Sequence, residues 1–160
     1  MRISSLATVF SVVVLLLFVG GCSGEKRPDG LPELYPLTVK ITQQGTPLVD
    51  GSVRFISTDP ASGGVPRWSV SGVTNAKGEA VMKTHGFPGS PIGPYKVVVS
   101  KEEIGYDNGD PPQVTSRLNL VLQKYTGVST TDLKIDVTAD MKTAEFDVGA
   151  PVREEMATPP

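Results

Sequence analysis

The chain has one cysteine, Cys22, and one histidine, His85, so any thiol or imidazole chemistry has to begin at those two positions. His85 sits in T-H-G-F-P-G-S-P with Ser90 five residues on, a spacing from which a Ser-His-Asp triad could be imagined. The stretch lacks the G-x-S-x-G turn that presents a serine nucleophile on a strand-to-helix elbow, and it reads as a turn. Zinc sites draw three or four nitrogen, sulfur or carboxylate ligands around one ion, and one histidine with one cysteine cannot supply the usual nitrogen and sulfur set. Calcium takes oxygens alone, which brings in Asp107, Asn108 and Asp110, but their spacing does not match the D-x-[DN]-x-[DN]-G loop and reads as a solvated acidic turn. Glu102 and Glu103 are adjacent, so in an extended segment they point to opposite faces, unlike the paired carboxylates of a glycosidase. No Gly-rich phosphate loop follows a strand and opens a helix. The residues therefore assign no catalytic group, no metal and no cofactor. What remains is surface: Trp68 and Tyr106 offer stacking area for a sugar or a peptide, and with Asp107 and Asp110 they form the candidate interaction surface.

Cys22 differs from the rest because of what precedes it. Met1 and Arg2 give a short positive start, residues 6–19 read LATVFSVVVLLLFV without a charge, and Gly20 and Gly21 supply small residues before the cysteine. This is the layout of a secretory signal, with its basic start, apolar centre and small-residue cleavage site. Val19-Gly20-Gly21-Cys22 resembles the lipobox of bacterial lipoproteins. The resemblance implies cleavage before Cys22, a diacylglyceryl group on its thiol and an acylated new amino group. The partner it implies is the membrane, reached through a lipid anchor, and two acyl chains are enough for stable attachment. Ser23 follows the cysteine where an aspartate would favour retention at the inner membrane. By that analogy the outer membrane of the cell envelope is the expected address.

The elements behind this address are short. Composition counts 17 Gly and 14 Pro in 160 residues, which predicts many turns and no long helix after the N-terminus. A net charge of -2 gives no basic field for nucleic acid. Residues 23–36, SGEKRPDGLPELYP, are polar and proline-rich and read as a flexible tether of extended character. Beyond them the dominant period is two. Leu37, Val39 and Ile41 alternate with polar neighbours, as do Val53 and Phe55, then Tyr95, Val97 and Val99, then Leu133, Ile135 and Val137, then Ala144, Phe146 and Val148. With two shorter candidates at 69–74 and 80–84 this predicts about seven strands, each with one buried face. Without helical crossovers the pairing should be antiparallel, giving an all-β, Greek-key-type sandwich. The boundaries are residues 1–21 for the signal, 22–36 for the lipidated cysteine and tether, 37–149 for the sandwich and 150–160 for a disordered tail.

The turns carry a further pattern. Gly45-Thr46-Pro47-Leu48-Val49-Asp50-Gly51 leads into Val53 and Phe55; Thr74-Asn75-Ala76-Lys77-Gly78 follows, with Asn75 suited to an Asx-turn and Gly78 to positive φ; Gly93-Pro94-Tyr95 then opens a strand. This order resembles the carboxypeptidase regulatory-like domain of the transthyretin-like (prealbumin-like) sandwiches. It resembles above all the small bacterial lipoproteins built from a lipobox, a tether and one such domain. The resemblance implies a non-enzymatic structural or protein-interaction module with an envelope protein or polysaccharide as partner. A carbohydrate- or small-ligand-binding surface is the alternative, and it requires Trp68 and Tyr106 side by side over a groove. Residues 102–131 form an insertion into the pattern, with a short helix expected at 116–125, and an exposed sheet edge could add a partner's strand.

Overall fold

The computed structural model describes residues 26–59 and 68–156; Val19, Gly20, Gly21 and Cys22 lie outside the described residues. Strands β1 (Thr38–Gln43) and β2 (Thr46–Pro47) form the first hairpin, followed by β3 (Ser52–Ser57) and four short strands, β4 (Val70–Val73), β5 (Glu79–Val81), β6 (Lys83–Thr84) and β7 (Phe87–Pro88). The long β8 (Gly93–Ser100) is followed by β9 (Glu102–Tyr106) and β10 (Val114–Asn119), a single 3-10 turn at Gln123–Tyr125, then β11 (Lys134–Val137), β12 (Thr143–Asp147) and β13 (Glu154–Glu155). The chain is an all-β sandwich. One sheet runs β12-β1-β2 with β5 also on β1, and the other runs β11-β8-β3-β4-β6-β7. A third sheet, β13-β10-β9, forms an arm continuing from β8.

The period-two residues meet between the two main sheets. Val39 and Ile41 of β1, Val53 and Phe55 of β3 and Val97 and Val99 of β8 belong to one buried cluster. Phe55 and Tyr95 pack with ring centroids 5.5 Å apart, and the Tyr95 hydroxyl donates to the carbonyl of Pro91, 3.1 Å away. That bond ties the start of β8 to the preceding loop. Burial pushes the Tyr95 phenol above its ordinary value, partly offset by the hydrogen bond with Ser90. Lys40 faces outward, as alternation predicts, and bridges to Glu145 at 3.0 Å.

The turn residues close the sandwich. Asn75 accepts backbone N–H bonds from Lys77 at 2.8 Å and Glu79 at 3.1 Å through its side-chain oxygen, forming the expected Asx-turn. Gly78 has φ of 76°, and a Cβ there would lie 2.6 Å from the carbonyl oxygen of Ile41. Only glycine meets both demands. The buried Thr74 hydroxyl accepts the Gly51 N–H at 2.7 Å, joining two turns distant in sequence.

Five expectations need correction. The pairing is not wholly antiparallel: β1 and β12 run parallel, Thr38 beside Thr143 through Thr42 beside Asp147. The crossover that parallel pairing demands is supplied here by the whole intervening domain. The helix expected at 116–125 is a strand followed by one 3-10 turn. Leu118, Val121, Leu122 and Tyr125 fall at helical spacing, but β10 pairs with β9 and Val121 and Tyr125 drop into the core. The tether ends earlier than Pro36, because Leu31 is buried and Tyr35 bridges to Ser90. Proline-set extended backbone suits a sheet edge as well as a linker. The tail from Ala150 is ordered through Met156: β13 pairs with β10, and Arg153 forks onto Glu103. An open edge recruits backbone, which polar residues supply as readily as apolar ones. These short pairings and the arm also raise the strand total above the expected seven.

Candidate functional site

The arm is the least buried part of the described fold. β9 and β10 pair antiparallel with Tyr106 opposite Val114, Ile104 opposite Arg117 and Glu102 opposite Asn119, and the register shifts between Val114 and Ser116. On the other side of β10, Glu154 lies opposite Asn119 and Glu155 opposite Leu118; the Met156 N–H then donates to the carbonyl of Arg117 at 2.9 Å. Because side chains alternate faces along a strand, Ile104, Tyr106, Val114, Arg117 and Met156 share one face. Four of them are large apolar residues left open, from Met156 at 38% to Tyr106 at 59% exposure. The opposite face carries the Glu103–Arg153 ion pair.

The tip is held by Asp107. Its Oδ1 accepts the backbone N–H of Gln113 at 2.8 Å and of Gly109 at 3.0 Å. Those two bonds, Gln113 first, hold its carboxyl below the ordinary 3.8. Asp107 is thus committed to closing the hairpin loop, whereas Asp110 beside it is exposed. Among the described residues no group of three or more His, Cys, Asp or Glu side chains converges to hold a metal ion.

Trp68 lies elsewhere. Its ring meets His85 edge-on with centroids 5.7 Å apart. The cross-strand row Val97, Phe55, Val70 places Trp68 toward the Tyr95 end of β8, whereas Tyr106 lies beyond its Ser100 end. Nine residues of strand separate Val97 from Tyr106, roughly 30 Å if straight. The two aromatics do not form one surface, so the groove required by the carbohydrate alternative is not built from them. His85 is exposed with φ of 50°. Ser90 is fully buried, its hydroxyl donating to the Pro91 carbonyl at 3.1 Å. The two residues stand in different environments with neither poised on the other.

A second open feature is a groove of about 510 Å³ lined by Ser52, Gly72, Val73, Glu79, Val81 and Lys83, among others. Val73 is 64% and Val81 56% exposed there. It forms where β5 leaves β4 to pair with β1. Asp147 marks a third site, and it is structural. Its Oδ2 accepts from Thr42 Oγ1 at 2.8 Å and the Gly45 N–H at 3.0 Å, and its Oδ1 accepts the Gly149 N–H at 2.8 Å. These bonds, the Gly45 N–H foremost, lower its carboxyl to about 2. They clamp the β1–β2 turn to the end of the last long strand.

Sequence reasoning singled out Tyr106 but missed Ile104, Val114 and Met156. The i, i+2 spacing of Ile104 and Tyr106 was a signal for one face of a strand. Val114 and Met156 carried none, since only pairing brings them to that face.

No family model and no curated protein matches the chain. Among solved structures, a 9R-lipoxygenase from Cyanothece PCC8801 is similar at a TM-score of 0.37 and 17% identity, over 92% of this chain and 21% of that one, a likeness too low to carry an argument.

Proposed function

We propose that this chain is a non-enzymatic lipoprotein of the cell envelope, anchored through Cys22, whose sandwich serves as a structural or protein-interaction module of the carboxypeptidase regulatory-like kind. The observation that carries the reading is Cys22 itself, one cysteine placed after a charge-free apolar run and two glycines. The family motifs support the second half. Thr74, Asn75 and Gly78 make fold-closing contacts, and the arm keeps an open face with four large apolar side chains. Leu31 is already packed, and its N–H closes a turn on the Pro28 carbonyl, so the expected tether is held to the domain from Pro28 onward. The domain would then stand close to the lipid surface, with the outer membrane the favoured one.

The test is the intact mass and membrane partition of the protein made in its host, compared with Cys22→Ser. The proposal expects a mass gain of diacylglycerol plus an acyl chain, and release from the membrane in the variant. An unacylated, soluble wild type would sink it.

A further inference from the structure

We propose that the free edge of β9 and the apolar face beside it receive an extended, lysine- or arginine-flanked segment of a partner protein, which adds as a strand to the arm. The inference deepens the interaction-module reading and rests on it.

Three observations converge. First, β9 is the outer strand of the arm, with β10 on one side and, among the described residues, no strand on the other. Alternate backbone N–H and C=O groups of Glu102–Tyr106 therefore point outward, the template used in strand addition. Second, the face that an added strand would extend carries open apolar side chains at Ile104, Tyr106, Val114 and Met156, with Arg117 among them and Glu102 and Glu154 at one end. Tyr106, at the hairpin end of that face, is of a residue type enriched among interface anchors. Third, the arm concentrates negative charge. Glu102, Glu103, Asp107, Asp110, Glu154 and Glu155 stand against Lys101, Arg117 and Arg153, while the whole chain has a net charge of only -2. The arm is thus more negative than the complete molecule. Arg153 is engaged with Glu103, whereas Glu102, Asp110, Glu154 and Glu155 take part in none of the described ion pairs.

These features select the occupant. Free backbone groups call for an extended chain, and the open face calls for apolar side chains at every second position. The acidic rim calls for basic flanks, which steer association and fix register. A second copy of this chain is disfavoured by the same charges, because it would bring an equal set of carboxylates to the edge. An anionic lipid surface is disfavoured for the same reason. The tether enters at Tyr35 beside Ser90, next to the start of β8, and the arm leaves from its far end. The arm therefore extends from the end of β8 opposite the one beside Tyr35.

The experiment uses the full mature chain carrying Cys22→Ser and a defined probe. The probe is a ten-residue peptide alternating valine and threonine with two lysines at each end; its control carries glutamates in place of the lysines. Backbone amide shifts and hydrogen exchange are followed by NMR. The expected result is binding of the lysine peptide, with shifts and slowed exchange confined to residues 102–106. Tyr106→Ser should weaken it about tenfold, as should Glu102→Lys combined with Glu154→Lys, whose effect should fade in high salt. Any of four results overturns the inference: no binding, equal binding of the glutamate peptide, shifts at Val73 and Val81 instead, or the same β9 shifts from doubling of the chain alone or from lipid vesicles without peptide. A separate arm isolates the underlying reading. Full-length protein carrying a benzophenone amino acid at position 106, and in turn at other surface positions, is irradiated in cells. Crosslinks at 106 with failed peptide binding would remove the strand-addition chemistry and leave the module. No protein crosslink at any position would remove both.

Discussion

The sandwich body and the arm use the same element, the antiparallel strand pair, to different ends. In the body, β3 and β8 pair over six residues with Val53, Phe55, Val97 and Val99 sealed against β1. In the arm, β9 and β10 pair over a similar length, yet Ile104, Tyr106 and Val114 stay open. The difference lies in what covers the face. A two-sided body buries its apolar stripe and is stabilised by the burial. Among the described residues nothing covers the stripe of the one-sided arm, so its apolar residues contribute little to folding and are left for contact. Stability and recognition are thereby assigned to separate parts of one chain.

That separation can be broken by substitution. The largest effect is expected from Phe55→Ala, which empties the centre of the core and should cost about 3–5 kcal/mol. Denaturant unfolding should show the whole domain destabilised. Next comes Gly78→Ala, where the new Cβ meets the Ile41 carbonyl oxygen at 2.6 Å in a backbone of positive φ. A loss of about 1–3 kcal/mol is expected in the same assay, and a loss no larger than at an exposed body position such as Lys77→Ala would show that this turn yields freely.

A smaller, pH-dependent effect should come from Asp147→Asn. Because the folded carboxyl sits at about 2, below the ordinary 3.8, the wild type gains stability above the ordinary value and loses it as pH falls through 2. The variant should melt a few degrees lower near neutral pH and converge on wild type near pH 2. Parallel melting curves across that window would separate the clamp from ordinary surface charge. Smallest of all is Tyr106→Ser in the arm, expected within about 0.5 kcal/mol of wild type. A larger loss would mean that the arm helps hold the body together and that stability and recognition are not separated in this chain.

Legibility followed burial. Val39, Ile41, Phe55, Val97 and Val99 announced themselves by alternation, and burial on one face imposes that period directly. Asn75 and Gly78 were readable because their conformations demand those residue types. The 116–125 segment misled because Leu118, Val121, Leu122 and Tyr125 fit a helical period, while the deciding interaction was with β9, a partner ten or more residues away. Residues 150–156 misled for a related reason: pairing at an edge uses backbone groups that every residue owns. The candidate site was half legible, since Tyr106 and its acidic neighbours stand in one short run while Val114 and Met156 join them only through register.

The sequence alone determined that the domain is β, where its inward faces lie, which turns need glycine, and the signal-like setting of Cys22, because each rests on local residue type and spacing. Tertiary structure alone decided that the first and last long strands lie parallel, that Asp147 clamps them, that Trp68 and Tyr106 are far apart, and that four apolar residues share an open face. Those are facts of pairing between distant segments. Backbone hydrogen bonds and the cost of burying them choose the partner, and neither leaves a mark on any single stretch of residues.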